Sequence, residues 1–311
     1  MILSASRRTD IPAFYSDWFY RRVEEGFFLV RNPMNTHQVS RVQISPQNVE
    51  CFVFWTKNPS GSFISGLERL DALGYKYYFQ FTVTPYAEDI ERNVPHKEEI
   101  IRTFISLSER IGREKVIWRY DPILLTGRYS MGYHEERFAY LADRLCGHTE
   151  KVIISFIDSY PKIRRRMAEC GISELSEEQM RSLAEKLKSV ATAHGLPVES
   201  CAEKIDLADI GIAHGHCVDG NLVGRICGKK FVFTKDKSQR AGCGCAASID
   251  IGAYDSCRHG CVYCYAMQGS GIPVNPPVDS GSPLLSSCLC EDDRVTERLI
   301  PRLEEAGPEL F

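Results

Sequence analysis

The chain has no apolar run that approaches the length of a bilayer-crossing helix, which argues against a membrane-embedded role. It begins Met1-Ile2-Leu3-Ser4-Ala5-Ser6-Arg7-Arg8, too short an apolar stretch for a secretory signal, so a cytoplasmic protein is expected. An excess of basic residues is also missing: 38 Lys and Arg face 41 Asp and Glu, for a formal net charge of −3. That balance argues against a broad nucleic-acid-binding surface and leaves room only for a local basic groove. No glycine-rich phosphate loop follows the first strand-like segment, which weakens a dinucleotide-binding reading. Internal repeats, low-complexity tracts and clear linkers are absent as well.

What the chain has in quantity is cysteine. There are 13 in 311 residues, and 10 of them lie between Cys201 and Cys290. In a reducing compartment such enrichment points to metal more than to disulfides. The densest stretch is Cys257-Arg258-His259-Gly260-Cys261-Val262-Tyr263-Cys264-Tyr265-Ala266, which follows the strand-like Ser248-Ile249-Asp250-Ile251-Gly252-Ala253-Tyr254. Three cysteines spaced C-x3-C-x2-C on a loop leaving a strand can converge on one metal centre. Three thiolates against the four irons of a cubane cluster leave one iron open to another ligand. An open metal position marks a reactive site, whereas a fully ligated one is usually structural or electron-carrying.

C-x3-C-x2-C with an aromatic before the third cysteine resembles the cluster motif of radical S-adenosylmethionine (SAM) enzymes, and the fuller C-x-H-G-C-x-Y-C-Y-A is most similar to their spore-photoproduct-lyase-like branch. The resemblance implies a 4Fe–4S cluster on Cys257, Cys261 and Cys264. It also implies SAM bound through its amine and carboxylate at the open iron, with Tyr263 beside the adenine. Two features depart from that superfamily. Its cluster loop follows the first strand of a barrel, whereas here it follows the last, as in a circular permutation. Its Gly-Gly-Glu-like segment, which holds the SAM amine, has no counterpart; Ser4 to Asp10 occupies that place. The strings RRTDIP, FWTKNP, WRYDP and CRHGCVYCYA, in that order, are similar to a bacterial family defined only as a domain of unknown function, DUF1848. That likeness implies a barrel and a cluster and supplies no substrate.

Local pattern gives the same architecture independently. Continuous apolar runs begin at Ile2, Cys51, Tyr77, Val116, Val152, Pro197 and Ile249, with Phe231-Val232-Phe233 as a possible eighth. Such runs suit strands buried on both faces. Helices are expected between them, from Trp18 to Glu25, Phe63 to Leu73, His96 to Ile111, Glu135 to Cys146 and Glu177 to His194, several stopped by glycine. Val39 to Ile44 reads as a hairpin strand. Alternating strands and helices imply parallel β/α units, and the count predicts an α/β fold of (β/α)8-barrel type, complete or partly open. A doubly wound sheet is the alternative. The expected division is a barrel over residues 1–266, carrying the loop 257–264, and a C-terminal wrap over 267–311, irregular where Gly, Pro and Ser dominate.

Parallel barrel strands end at one mouth, where polar residues just past their C-terminal ends converge. This chain places there Arg7, Arg8 and Asp10; Lys57 and Asn58; Gln80, Thr82 and Thr84; Arg119 and Asp121; Ser155 and Asp158; and Glu203. Arg7, Arg8, Asp10, Lys57, Arg119 and Asp121 are the candidate catalytic groups, and Gln80 and Asn58 join Tyr263 as candidates for cofactor binding. The plainer reading makes Arg119 and Asp121 a buried ion pair and Asn58-Pro59 and Asp121-Pro122 turns. Trp55, Trp118, Tyr77 and Tyr78 suit a barrel core better than a base-stacking platform.

Cys201, Cys217, Cys243 and Cys245 lie around the strand and loops that lead to the motif. They fit a second cluster acting as an electron relay, a four-thiolate zinc site, or buried free thiols. Three functions follow. The first is a radical SAM-like enzyme that reductively cleaves SAM and takes hydrogen from a small-molecule substrate, served by a ferredoxin- or flavodoxin-like electron donor. The second is a non-catalytic iron–sulfur electron carrier. The third is a zinc-stabilised nucleic-acid-binding protein, which the acidic balance disfavours. The three-cysteine loop favours the first over the second, because a carrier gains nothing from an open iron.

Overall fold

The computed structural model describes residues 1–240, 242–268, 280–298 and 303–305. Its centre is an eight-stranded, wholly parallel sheet. In chain order the strands of the molecule are β1 (Ile2–Ala5), β2 (Phe27–Asn32), β3 (Asn35–Gln43), β4 (Cys51–Thr56), β5 (Tyr77–Thr82), β6 (Val116–Ile123), β7 (Val152–Phe156), β8 (Val198–Ser200), β9 (Ala213–His214), β10 (Phe231–Val232), β11 (Ile249–Asp250), β12 (Arg294–Glu297) and β13 (Glu304–Glu305). The main sheet runs β11-β1-β4-β5-β6-β7-β8-β9.

The sheet is open. β11 and β9 form its two ends and, among the described residues, no pairing joins them, so of the two forms expected, complete or partly open, closure is not seen. The eighth strand is also not the expected one. Phe231–Val232 pairs antiparallel with Glu304–Glu305 away from the main sheet, and Ala213–His214, which reads as loop in the sequence, takes the edge beside β8. Two residues carry too little pattern to announce a strand.

The helices are α1 (Ile11–Phe14), α2 (Ser16–Glu25), α3 (Gly61–Leu73), α4 (Lys97–Ile111), α5 (Met131–Leu145), α6 (Arg164–Glu169), α7 (Glu177–Ala193) and α8 (Gly220–Cys227). Their ends follow local chemistry. Ser60 caps α3, Ser130 caps α5, and Ser176 with Gln179 forms a capping box on α7. α2 and α3 stop at Gly26 and Gly74, as their sequences predict. α1 and α6 were not expected; at four and six residues they carry no amphipathic period.

Strand alternation sorts the two faces of the sheet. Leu3 and Ala5, Phe52 and Phe54, Phe79 and Phe81, Trp118 and Tyr120, and Val152 and Ile154 point to one face. There they meet Phe19 of α2, Phe63 of α3, Phe104 of α4, Phe138 of α5 and Leu183 of α7. Ile2, Val53, Tyr78, Ile117 and Ile153 point to the other, where they are covered by Cys217, Val218, Cys243, Cys245 and the α8 residues Leu222 and Val223. The strands are thus buried on both sides, which is why they read as continuous apolar runs.

The hairpin of β2 and β3 lies apart, and β12 adds to β3 in parallel. The tail thereby returns to the N-terminal part of the chain: Trp18 Nε1 donates to the Ser282 carbonyl at 3.0 Å and Arg31 pairs with Asp293. Most of the Gly-, Pro- and Ser-rich stretch expected to be irregular, residues 269–279, lies outside the described residues.

Candidate functional site

β11 stands next to β1, and the remaining strands follow in chain order from there. The loop leaving β11 therefore emerges at the C-terminal end of the sheet, beside the ends of β1 and β4. It carries Cys257, Cys261 and Cys264. Burial pushes their thiols up to about 12, 12 and 11 respectively. The neighbouring thiols add to this: Cys264 acts on Cys257, Cys257 on Cys261 and Cys261 on Cys264. The three thiols thus act on one another electrostatically.

The loop is tied down from several sides. Asp10 caps α1 through the Ala13 N–H at 2.9 Å, accepts from the Lys57 N–H at 2.7 Å, and pairs with His259 Nε2 at 2.7 Å. The Asn93 N–H donates to the His259 carbonyl at 2.9 Å, Asn93 Nδ2 to the Arg258 carbonyl at 2.9 Å, and the Val262 N–H to the Ile90 carbonyl at 2.9 Å. Gly260 passes this junction at φ +65°, where a side chain would be strained. Buried Arg166 donates to the carbonyls of Cys264 at 2.9 Å and Met267 at 2.7 Å.

Under the loop sits a buried ionic cluster. Glu91 accepts from Lys57 at 2.7 Å, from Thr84 at 2.6 Å, and from Lys97 and the Tyr263 hydroxyl. Burial alone would raise the Glu91 carboxyl, but the two ammonium groups outweigh it and hold the carboxyl far below the usual range. Lys57 also lies over the Tyr263 ring at 5.6 Å and within electrostatic reach of Cys261, whose thiol it pulls down against burial.

A second group of sulfurs occupies the other face of the sheet. Cys201 follows β8, Cys217 follows β9 and Cys243-Gly244-Cys245 precedes β11. Cys201 and Cys217 are 2.9 Å apart at Sγ. Cys245 acts on the Cys217 thiol and on Cys243, raising both. Arg119 donates to the Cys217 sulfur at 2.7 Å and to Gln80 Oε1 at 3.3 Å, and pairs with Asp121. Gln80 Nε2 and the Tyr78 hydroxyl both donate to the Cys217 carbonyl at 2.8 Å. The Cys217 hydrogen bond, with Arg119 beside it, draws the Cys201 thiol down to about 7 against the effect of burial. Trp55 lies between Arg7 and Arg119, 5.3 and 5.1 Å from their guanidinium carbons.

The residues expected to line one mouth are therefore divided. Lys57 and Asp10 belong to the three-cysteine loop, and Asp10 there serves as cap and His259 partner rather than facing an opening. Gln80, Arg119, Asp121 and Arg7 belong with the four cysteines. Arg8 stacks over Tyr254 at 5.0 Å. Asn58 donates to Glu99 at 3.2 Å, Asp158 pairs with Arg240, and Glu203 accepts from Ser155 at 2.8 Å. The ion pair foreseen for Arg119 and Asp121 is present, though Asp121 remains half-exposed. Sequence reasoning missed Glu91, Lys97 and Arg166; the charge of Glu91 in the loop after an apolar strand was the one available signal. Among the described residues no three His, Cys, Asp or Glu side chains stand at the spacing of a bound metal ion, and no helix is long and apolar enough to cross a membrane. No curated protein matches the chain. Residues 2–266, which include both cysteine groups and the whole main sheet, match the family model described as Domain of unknown function (DUF1848), and the chain belongs to that family.

Proposed function

We propose that this chain is an iron–sulfur protein of radical SAM type, with a 4Fe–4S cluster held by Cys257, Cys261 and Cys264. The observation that carries the reading is the placement of these three cysteines on one loop at the C-terminal end of a parallel sheet, next to its first strand. The donor set fits: three soft thiols, a third-position aromatic, and surroundings that hold the loop from both sides. When bound and reduced, such a cluster supplies the electron that cleaves SAM to a carbon radical able to take hydrogen from a substrate.

The chain's own residues then have separate tasks. Lys57 lowers the cost of a thiolate at Cys261 through its charge. Glu91 fixes Lys57 and Tyr263 in place, Asp10 orients His259, and Arg166 and Asn93 fix the loop carbonyls. Arg8 and Asn58, at neighbouring strand ends and not fully buried, are the groups available to orient a zwitterion such as the methionine part of SAM, a charged hydrogen bond from Arg8 contributing about 1.5–3 kcal/mol. A small-molecule substrate and a ferredoxin- or flavodoxin-like donor complete the proposal. The electron-carrier reading gains from one feature: Gln80, a candidate for SAM binding, is fully buried and committed to Cys217 and Arg119.

The test is anaerobic purification and reconstitution, then incubation with SAM and a strong reductant. Formation of 5′-deoxyadenosine by the wild type, but not by a Cys257→Ser/Cys261→Ser/Cys264→Ser variant, supports the enzyme. Iron and sulfide without SAM cleavage transfer the case to the carrier, and a wild type that takes up no iron at the loop ends both.

A further inference from the structure

The four cysteines on the other face come from three separate stretches of chain, yet Cys201 and Cys217 stand 2.9 Å apart at sulfur, Cys217, Cys243 and Cys245 are buried in one cluster with Cys201 packed against it, and Cys245 acts on Cys217 and Cys243. None of them is in a disulfide. Free cysteine is often interior and needs no partner, so proximity alone does not make a site. Here the surroundings are unlike those of an inert thiol cluster.

Two polar atoms beside the sulfurs are buried and have no hydrogen-bond partner: Arg7 Nη2 and His216 Nδ1. Arg7 lies within electrostatic reach of Cys245 and Cys217. His216 lies against the Cys243-Gly244-Cys245 turn: a Cβ at Gly244 would fall 2.2 Å from His216 Nδ1, so only glycine lets the turn pass this ring. Leaving a buried polar group unpaired is costly, and more so for a charged one. Two further donors already point at sulfur, Arg119 at Cys217 and the Val218 N–H at Cys245, 2.7 and 3.3 Å away. Arg119 is buried with the half-exposed Asp121 as its partner, and Arg7 has Asp250 within electrostatic reach, yet Arg7 Nη2 itself has no hydrogen-bond partner. Neutral thiols are weak acceptors and bring no charge. Metal-bound thiolates supply both, and hydrogen bonds to ligating sulfur are how a protein surrounds such a centre.

We propose that Cys201, Cys217, Cys243 and Cys245 form a four-thiolate centre for a soft metal, iron in a cluster or a zinc ion, with Arg119, Arg7 and the Val218 N–H as its surrounding donors. The sulfurs must part on binding, because ligands on a tetrahedral zinc stand about 3.8 Å from one another and Cys201 and Cys217 are 2.9 Å apart. All three contributing stretches are loops, flanked by short strands and, at the C-x-C turn, by glycine, so the change does not require the main sheet to move. This centre does not depend on the radical SAM reading, since it shares no ligand with the 257–264 loop.

The deciding experiment uses the full chain carrying Cys257→Ser, Cys261→Ser and Cys264→Ser, which silences the loop. Metal and acid-labile sulfide are measured after anaerobic purification, and the metal-stripped protein is titrated with Co(II). The expected result is retention of one centre per chain, as iron with sulfide or as zinc without it, and one Co(II) equivalent with thiolate-to-cobalt absorption. Adding Cys243→Ser and Cys245→Ser should remove all of it. Because that variant can fail to fold, the wild type is also alkylated under native conditions with and without a chelator. Cys201, Cys217, Cys243 and Cys245 should be protected until the metal is withdrawn. Equal labelling in both conditions, no metal in the silenced chain, or a Cys201–Cys217 disulfide in its place overturns the proposal.

Discussion

The two cysteine groups are built in opposite ways. One is contiguous: Cys257, Cys261 and Cys264 sit on a single loop, and the fold adds anchors around it. The other is assembled: Cys201, Cys217 and the Cys243–Cys245 pair arrive from three stretches separated by α8, β9 and β10. The contiguous group rests on a carboxylate between two ammonium groups, and the assembled one on guanidinium groups and an indole. The contrast shows how one sheet keeps two sulfur-rich sites apart. Strand alternation sends Gln80 and Arg119 to one face and their neighbours Phe79, Phe81, Trp118 and Tyr120 to the other.

The sharpest way to break the comparison is to remove one group and follow the other. Cys257→Ser should abolish SAM-dependent 5′-deoxyadenosine formation and the iron of the loop, while Cys243→Ser leaves the loop iron in place. Parallel iron, sulfide and product assays read this directly, and loss of all iron in both variants would mean a single shared centre.

Glu91→Ala should come next in size. It strands Lys57 and Lys97 without their buried counter-charge, and breaking a buried pair in this way costs about 3–5 kcal/mol. The denaturant midpoint measures it, and the loss should be accompanied by weaker iron retention in the 257–264 loop.

Arg119→Ala should cost less, because the partner it leaves behind, Asp121, is partly exposed and regains water, whereas Glu91 pairs with two ammonium groups in the interior. Its metal signature should be the reverse of the previous variant, with depletion at the four cysteines and none at the loop. Arg119→Lys, which keeps the charge and loses the fork, should fall between wild type and Arg119→Ala.

A scaffold control touches neither group. Buried His134 takes the Tyr120 hydroxyl bond at Nδ1 and donates Nε2–H to the Leu124 carbonyl, each 2.8 Å, and burial lowers its ring from 6.5 to about 4. The folded state therefore holds His134 neutral while the unfolded chain gains a proton as pH falls through 6.5. Stability should drop by about 1.5 kcal/mol between about pH 6.5 and pH 5 from this group. Equilibrium unfolding of wild type and His134→Gln across that window isolates the contribution, and identical slopes would remove it.

Much of the scaffold could be read before the structure. Seven of the eight main strands begin where apolar runs begin, because strands buried on both faces carry no polar alternation to obscure them. α3, α4 and α7 keep their predicted bounds to within two residues at each end, since serine caps and glycine stops are local. The eighth strand, α1 and α6 escaped notice for lack of length. The three-cysteine loop was legible because its cysteines lie close together in one short stretch of chain, and so was the pairing of Arg119 with Asp121, two residues apart on one strand.

The sequence by itself determined the strand and helix succession, the thiol loop and the polar residues at the strand ends, all of them set by spacing over a few residues. It also allowed a closed barrel, and nothing local could decide closure, which depends on whether β9 and β11 reach each other across the whole sheet. Nor could it show that the charged strand ends divide between two sites. That division depends on which face each side chain takes and on which distant segment covers it. Glu91 reaching Tyr263 across 172 residues and Arg119 reaching Cys217 across 98 are such cases. Contacts at that separation follow from strand order and packing, and only the tertiary structure specifies both.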